Sequence, residues 1–430
     1  MEMTSLRSVV LLISIYFPPE FSGGATLAKN RATVFNRLGY SVYVIAGFPS
    51  YPTGRVADPK YKHRLIHVEN IGRFTVIRVR LLKLRHEGYL KRLLLFLGFI
   101  IMCILFLPKI LRITGKINIV YALAPILFSS IVGLVYSKLA NSFFIYEAPD
   151  LWPEELSAFN VPLFSFIMLT GKFFAKVCYG LPDLIITTTK PMADYLLQEY
   201  KPKCNVHGLP LGVDRAEFPK LSKEESRQKL IDLKIFPRQI ANKFIVMYAG
   251  LISSAYRIED LVLAANKMKD SKEIVFIVIG DGEKREKITG LVKQYSLSNV
   301  YLLPFQPRNL LPYIYSSADV CTIPLTTEPI FQIVIPTKFY EYLACSKPII
   351  AICRGELARV VNSNDVGIVV DFGDIDKLVN AIEAVRGSPD LVHMIEKNSN
   401  KVLDTFSLDY ITSLFGRILA KDYLRSARMR

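Results

Sequence analysis

No two cysteines in this chain stand in a Cys-x-x-Cys spacing. The six present, at 103, 178, 204, 321, 345 and 353, are scattered through 430 residues. That scatter argues against a zinc ribbon or a disulfide framework and fits a reducing compartment. The five histidines also lack ligand spacing, so no metal and no other cofactor is expected. Charge is sparse: 21% of residues are charged against 51% hydrophobic, a balance that excludes a disordered chain. Acids are the scarcer sign. Thirty-eight Asp and Glu face 54 Lys and Arg, for a formal net charge of +16 and a pI near 9.4. The excess favours anionic partners such as phosphorylated substrates or anionic lipid. Nucleic acid is not expected, because no nucleic-acid module is recognisable and the basic residues flank an apolar helix instead of interleaving with aromatics. The start of the chain, with one Arg7 and a short apolar run, reads as a buried first strand and not as a signal peptide.

At this length two cores of about 200 residues each are expected. Short apolar runs alternate with longer helical patterns, as in parallel sheets with crossover helices. The first series of strands falls at 8–15, 41–46, 74–79, 117–121, 143–147 and 183–188. A second falls at 244–249, 274–279, 299–303, 319–323, 348–352 and 366–370. Between them lie the turn Pro210-Leu211-Gly212-Val213-Asp214 and a charged stretch, 220–243. The expected domains are therefore 1–214 and 215–404.

The longest apolar run is Leu93–Leu107, fifteen residues without a polar side chain. A spanning helix needs about 20 such residues. Strands of one sheet also lie on both sides of it, so a single crossing would split that sheet across a bilayer. A buried or interfacial helix is the expectation. Lys83, Arg85, Lys91 and Arg92 precede it and Lys109, Arg112 and Lys116 follow, which suits an anionic leaflet met through 81–112. A core helix with solvated ends is the alternative.

Four constellations carry possible chemistry. The first strand runs into Glu20-Phe21-Ser22-Gly23-Gly24, with a helix from about Ala25 to Leu38. Glycines at such a junction let a ligand approach the backbone, and the helix start offers free N–H groups to an anion. Glu20 could bond a substrate hydroxyl or face solvent. Gly250 and Gly280 end two neighbouring strands of the second series and leave room at the sheet's carboxyl edge, where open α/β sheets bind ligands. Lys338 and Glu341, on a helix begun by Pro336, share one face. They read equally as a phosphate and ribose site or as a surface ion pair. Finally, the strand 143–147 runs into Ala148-Pro149-Asp150-Leu151-Trp152-Pro153-Glu154, where Asp150 and Glu154 could meet substrate, or where Asp150 caps a helix and Trp152 enters the core.

Taken together, YFPPEFSGGAT (16–26), GFPSYPTG (47–54), DLWPE (150–154), PLGVD (210–214), YAG (248–250), VIGDGE (278–283) and PTKFYEYLACSKPI (336–349) resemble glycosyltransferase family four, over nearly the whole chain. The branch that includes the N-acetyl-L-fucosamine transferases of surface-polysaccharide assembly is the most similar. The resemblance implies an α/β GT-B fold: two facing Rossmann-like domains, the closing helix from Phe406 crossing back so that 405–430 packs on the first. It implies a nucleotide-sugar donor, UDP-linked, in the second domain, a lipid-linked glycan acceptor at the first, retained anomeric configuration and no metal. It makes Glu341 the ribose ligand and places Lys338, Gly23 and Gly24 near the donor phosphates or transferred sugar. Phe305 falls at the base, Asp150 on the acceptor side. The expected location is the cytoplasmic face of the cell membrane, peripheral or monotopic. Two departures stand out. Ile333 occupies the place of the family's first glutamate, with Glu328 the nearest upstream acid. Leu251 and Tyr256 occupy the places of its phosphate-binding Arg and Lys, leaving Arg257, Lys338 and Arg354, with Ser253 and Ser254 as hydrogen-bond donors. They raise a second expectation, a degenerate transferase serving as a binding or scaffolding subunit. The basic residues Lys421, Arg425, Arg428 and Arg430 read as a solvated tail, with lipid contact the alternative.

Overall fold

The computed structural model describes residues 8–20, 22–50, 54–56, 58–84, 89–123, 127, 129–158 and 164–429. Phe21, residues 51–53, Arg85 and Arg430, all named above, lie outside the described residues, as do the side chains of Arg425 and Arg428. The chain divides into two compact units. One comprises Met1–Leu156, Asn160–Leu211 and Leu408–Arg430; the other comprises Ser157–Phe159 and Gly212–Ser407.

The first unit holds eight strands: β1 Val9–Ile13, β2 Ser41–Gly47, β3 Ile66–Ile71, β4 Phe74–Val79, β5 Ile119–Leu123, β6 Phe143–Ala148, β7 Leu184–Thr187 and β8 Asn205–Gly208. Their order is β3-β4-β2-β1-β5-β6-β7-β8. All neighbours pair parallel except β3 and β4, which form an antiparallel hairpin. The central strands are buried on both faces, which is why VVLLI and IVYAL read as unbroken apolar runs. β3 and β8 escape sequence reading for a physical reason. Both are edge strands, half-solvated, and carry polar residues such as His67, Glu69 and His207. β5 sits two residues later than the apolar pattern suggests.

Right-handed crossovers fix the faces. Helix Gly23–Arg37 links β1 to β2 on one face, where the closing helix Leu408–Met429 also packs, with Phe35 edge-on to Phe415 at 5.2 Å. The helices leading back to β5, β6 and β7 cross in the opposite sense and lie on the other face. These are Tyr89–Leu105 with Leu107–Thr114, then Ser129–Ala140, then Phe164–Tyr179. The apolar run 93–107 is thus not one helix. It breaks at Phe106, with a 64° bend, where Pro108 opens the second helix. Among the described residues no single helix is long and apolar enough to cross a membrane. Leu95, Phe96, Phe99 and Cys103 are buried, whereas Leu90, Leu94, Leu97, Ile101, Ile104 and Leu105 are exposed. The segment is half core and half exposed apolar stripe.

Glu147, at the carboxyl end of β6, is fully buried and belongs to the framework. Arg31 Nη2 donates to its Oε1 at 2.7 Å, and Arg31 Nε donates to both carboxylate oxygens at 3.0 Å. The Tyr121 hydroxyl donates to the same carboxylate, and Arg31 also donates to the Leu209 and Pro210 carbonyls. Burial works against the guanidinium's charge, but Glu147 and Tyr121 more than offset it and hold Arg31 protonated.

The second unit holds β9 Phe244–Ala249, β10 Ile274–Ile279, β11 Val300–Leu303, β12 Val320–Pro324, β13 Ile349–Ile352 and β14 Gly367–Val370. All pair parallel, in the order β11-β10-β9-β12-β13-β14. Written by position, that is 3-2-1-4-5-6, the doubly wound order whose reversal lies between β9 and β12. The charged stretch 220–243 is part of this unit. It contains helix Lys223–Asp232, capped by Ser222 and held by Arg227, whose Nη2 donates to Asp319 at 2.6 Å. The stretch is rich in charge because helix 223–232 buries only one narrow edge, Ser226, Arg227, Leu230 and Ile231.

Arg31→Met should destabilise the first unit by about 3–5 kcal/mol, because it strands a buried carboxylate. Arg31→Met combined with Glu147→Leu should recover much of that loss in urea denaturation. Equal losses in the single and double variants would show that the pair is not what matters.

Candidate functional site

Doubly wound sheets bind ligands at the carboxyl edge where strand order reverses. In the second unit this is the edge above β9 and β12. The loop after β9 lies across it: Tyr256 bridges Leu325 just beyond β12, and Arg257 N–H donates to the Pro324 carbonyl at 2.9 Å. Gly250 and Gly280, both at positive φ, allow this folding. A Cβ on Gly280 would lie 1.8 Å from the Gly250 carbonyl oxygen, and one on Gly250 would lie 2.7 Å from Lys338 Nζ. Gly280 therefore makes room for the neighbouring loop, and Gly250 makes room for a lysine.

That lysine is the unusual group. Lys338 sits in the first turn of helix Thr337–Ala344, whose N-cap, Pro336, supplies no side-chain cap. Its side chain is buried, and Nζ lies 3.9 Å from the ring centroids of both Tyr248 and Tyr256. Among the described residues no atom accepts a hydrogen bond from it. Burial pulls its pKa well below the usual lysine range, and the Glu341 charge only partly opposes this. A buried amine in an aromatic cradle, with no hydrogen-bond acceptor of its own among the described residues, is a group that an incoming anion can recharge and hold.

Glu341 is also buried, and it does not pair with Lys338. Arg308 Nη1 donates to its Oε1 and the Tyr315 hydroxyl to its Oε2, both at 2.9 Å. Arg308 donates in turn to Glu217 at 3.1 Å and lies over the Phe218 ring. Burial lowers the Arg308 pKa, but Glu341 and Glu217 raise it by more. The surface ion pair left open by the sequence is thus excluded: both residues point inward, toward different partners. Arg308, Glu217 and Tyr315 went unnoticed in the sequence because only tertiary folding brings them to Glu341. Phe305, just after β11, presents an exposed ring.

The substitute cations divide clearly. Arg257 forms a fork with Asp260, both bonds at 2.9 Å, and Arg354 forms one with Asp371 at 2.8 and 2.6 Å. Of the three, Lys338 alone has no carboxylate partner. The Ser253 hydroxyl is buried, and Ser254 N–H is engaged by Glu283 at 3.0 Å.

In the first unit Ser22 caps helix 23–37, accepting from Ala25 N–H at 3.1 Å; Gly23 faces open space, whereas Gly24 lies against the Tyr16 ring. Glu20 and Glu154 were candidates for substrate contact, but both are buried. Glu20 accepts from Ser50 N–H at 2.9 Å, bracing two loops, and Glu154 accepts from the Tyr195 and Tyr200 hydroxyls. Asp150 does reach solvent. The residue keeps an open side, yet the protein packed around its carboxyl desolvates it and lifts its pKa to about 6. Glu155 is lifted to about 8 by burial and by the Asp150 charge, against the pull of Arg92. Trp152 packs beside Gly171 of helix 164–179.

Solved structures share this architecture. Sucrose-phosphate synthase from Thermosynechococcus elongatus matches with a TM-score of 0.75 at 20% identity, over 97% of this chain and all of that one. HepE of Anabaena in complex with UDP-glucose matches with a TM-score of 0.68 at 17% identity, over 96% and 99%. The fold is GT-B. Residues 232–402, which hold the Lys338 cradle, match the model of glycosyl transferases group 1. An Escherichia coli K12 protein named as a colanic acid biosynthesis glycosyl transferase, WcaI, is 22% identical over 78% of this chain and 81% of its own length. The Escherichia coli UDP-Gal:alpha-D-GlcNAc-diphosphoundecaprenol alpha-1,3-galactosyltransferase is 26% identical over 46% of this chain and half of its own. The protein is a glycosyltransferase enzyme, and its likeness to the group 1 family model lies in residues 232–402.

Two outcomes follow from the site. Lys338→Met should stabilise the unliganded protein by about 1–3 kcal/mol, by removing an unsatisfied buried group. It should also abolish diphosphate binding. In wild type, binding an anion restores the ammonium, so a proton is taken up and affinity falls as pH rises; calorimetry in buffers of different ionisation enthalpy reads this directly. No proton uptake would place the phosphates elsewhere. Separately, an ionised Asp150 should be needed for turnover, so the rate should fall as pH drops through about 6. Asp150→Asn should remove that limb of the pH–rate profile.

Proposed function

We propose that the protein is a retaining glycosyltransferase that moves a sugar from a UDP-sugar to a lipid-linked glycan acceptor at the cytoplasmic face of the cell membrane, in surface-glycan assembly. The observation that carries this reading is the buried amine of Lys338 at the β9/β12 reversal, cradled by two tyrosine rings and without a hydrogen-bond acceptor among the described residues. A diphosphate leaving group develops negative charge, and a fixed cation at a helix start meets it without a metal. Glu341 would receive the ribose hydroxyls, with Arg308 yielding or sharing the carboxylate. Phe305 offers an open ring to the base. Gly23 and Gly24, at the carboxyl end of β1, would meet the transferred sugar, and Asp150 would face the acceptor.

Several findings support the finer points. A structural neighbour was solved with UDP-glucose, and a curated relative is named for a UDP-sugar and a diphosphoundecaprenol acceptor. The motif run supports the N-acetyl-L-fucosamine transferase branch. The exposed apolar stripe on helix 89–105 supports peripheral membrane contact within 81–112. The departures at Leu251, Tyr256 and Ile333 keep a second reading alive, a catalytically degenerate transferase acting as a scaffold. Tyr256 weakens that reading, because its ring holds the Lys338 amine, which would take the part of the missing strand-side cations.

A calorimetric screen of UDP, GDP, ADP and their sugars, with EDTA present, tests the proposal. We expect selective binding of UDP and one UDP-sugar, followed by turnover on undecaprenyl-diphosphate-linked sugars. Binding without turnover on any acceptor would favour the scaffold, and binding of none would overturn the donor site.

A further inference from the structure

The apolar stripe on helix 89–105 is not alone. Helix 164–179, which the sequence did not single out, exposes Leu169, Phe173, Phe174 and Val177, with Leu169 73% and Phe173 67% accessible. Positions 169, 173 and 177 fall on one side of the helix. Helix Ser129–Ala140 lies between the two and exposes Ile131 and Leu139. Its Tyr136 hydroxyl donates to the Cys103 carbonyl of helix 89–105 at 2.7 Å. All three helices belong to successive crossovers on one face of the first sheet, so their outward sides form one continuous surface.

The charge carried by these helices has one sign, and Glu199 of helix Lys190–Glu199 answers it at one point, pairing with Lys172 at 2.6 Å. Helices 89–105, 107–114, 129–140 and 164–179 contain Lys91, Arg92, Lys109, Arg112, Lys138, Lys172 and Lys176 and not a single Asp or Glu. A second copy of the chain would bring cations against cations, which disfavours self-association. An anionic lipid surface satisfies both the apolar and the basic character.

We propose that these helices form one membrane-docking face, in which helix 164–179 inserts Leu169 and Phe173 beside the stripe of helix 89–105. The face also grips the acceptor-side loop. Gly171 leaves no space for a side chain, since a Cβ there would lie 2.9 Å from Pro153. Arg92, on the other docking helix, acts electrostatically on Glu155. The loop carrying Asp150 is thus bracketed by the two helices that meet lipid, which suits an acceptor whose sugar stands at the headgroup level. This rests on the membrane reading above.

The test is flotation of the full chain with vesicles of phosphatidylcholine alone or mixed equally with phosphatidylglycerol. We expect binding to the anionic vesicles, weakened by salt. It should be weakened about tenfold or more by Leu169→Ser with Phe173→Ser, and similarly by Leu97→Ser with Ile101→Ser. Both pairs are exposed, and unchanged thermal unfolding checks the fold. A mutation-free measurement stands beside it: Trp152, the single tryptophan, packs beside Gly171 and should be quenched by nitroxide-labelled lipid. If only the 97/101 pair releases the protein, contact through 81–112 stands and this proposal falls. Wild type that ignores vesicles overturns both. Equal, salt-insensitive binding to phosphatidylcholine overturns the anionic-lipid assignment. A dimer split by the 169/173 pair, without vesicle binding, assigns the face to a second copy.

Discussion

A lysine amine buried without a counter-charge is expensive to keep protonated, and proteins either neutralise it, pair it or use it. The surroundings of Lys338 fit the use proposed for it. Gly250 has no side chain so that the amine can reach the sheet edge, and Gly280 has none so that the Gly250 loop can fold down. Tyr248 and Tyr256 flank the amine, and an uncapped helix begins one residue before it. Remove the lysine and these features have no common purpose.

The buried arginines make the contrast. Arg31 is enclosed by Glu147, by Tyr121 and by two carbonyls, and Arg78 is held by Glu69 and the Gly47 and Pro18 carbonyls. Their hydrogen-bonding capacity is met inside the fold, so they fix loops and strands and leave little for a ligand. The same contrast separates the acids. Glu20, Glu147 and Glu154 stand at strand ends or loops where substrate contact was plausible, yet each accepts from internal donors. Asp150 does not turn inward.

The transferase chemistry and the surface of the first unit follow from one architectural fact. Parallel sheets require crossover helices, and those helices must cover both faces. Loops at the carboxyl edges become sites. Helices on the outside become surfaces, and on one face of the first sheet that surface is apolar and basic.

By itself the sequence determined the two-series α/β pattern, because strands buried on both faces must be apolar throughout. It also determined the positions of Lys338, Glu341, Phe305 and Asp150 in their local elements, since strand ends and helix starts are written in local residue patterns. Tertiary structure alone decided what those groups do. Whether Lys338 paired with Glu341 or stood apart depended on Arg308 and Tyr315, some 30 residues upstream. Whether 93–107 was core or surface depended on which side of a bent helix met the sheet. The polar edge strands and the exposed face of helix 164–179 were hidden for the same reason: local pattern reports which residues are apolar, and only packing decides which of them find a partner.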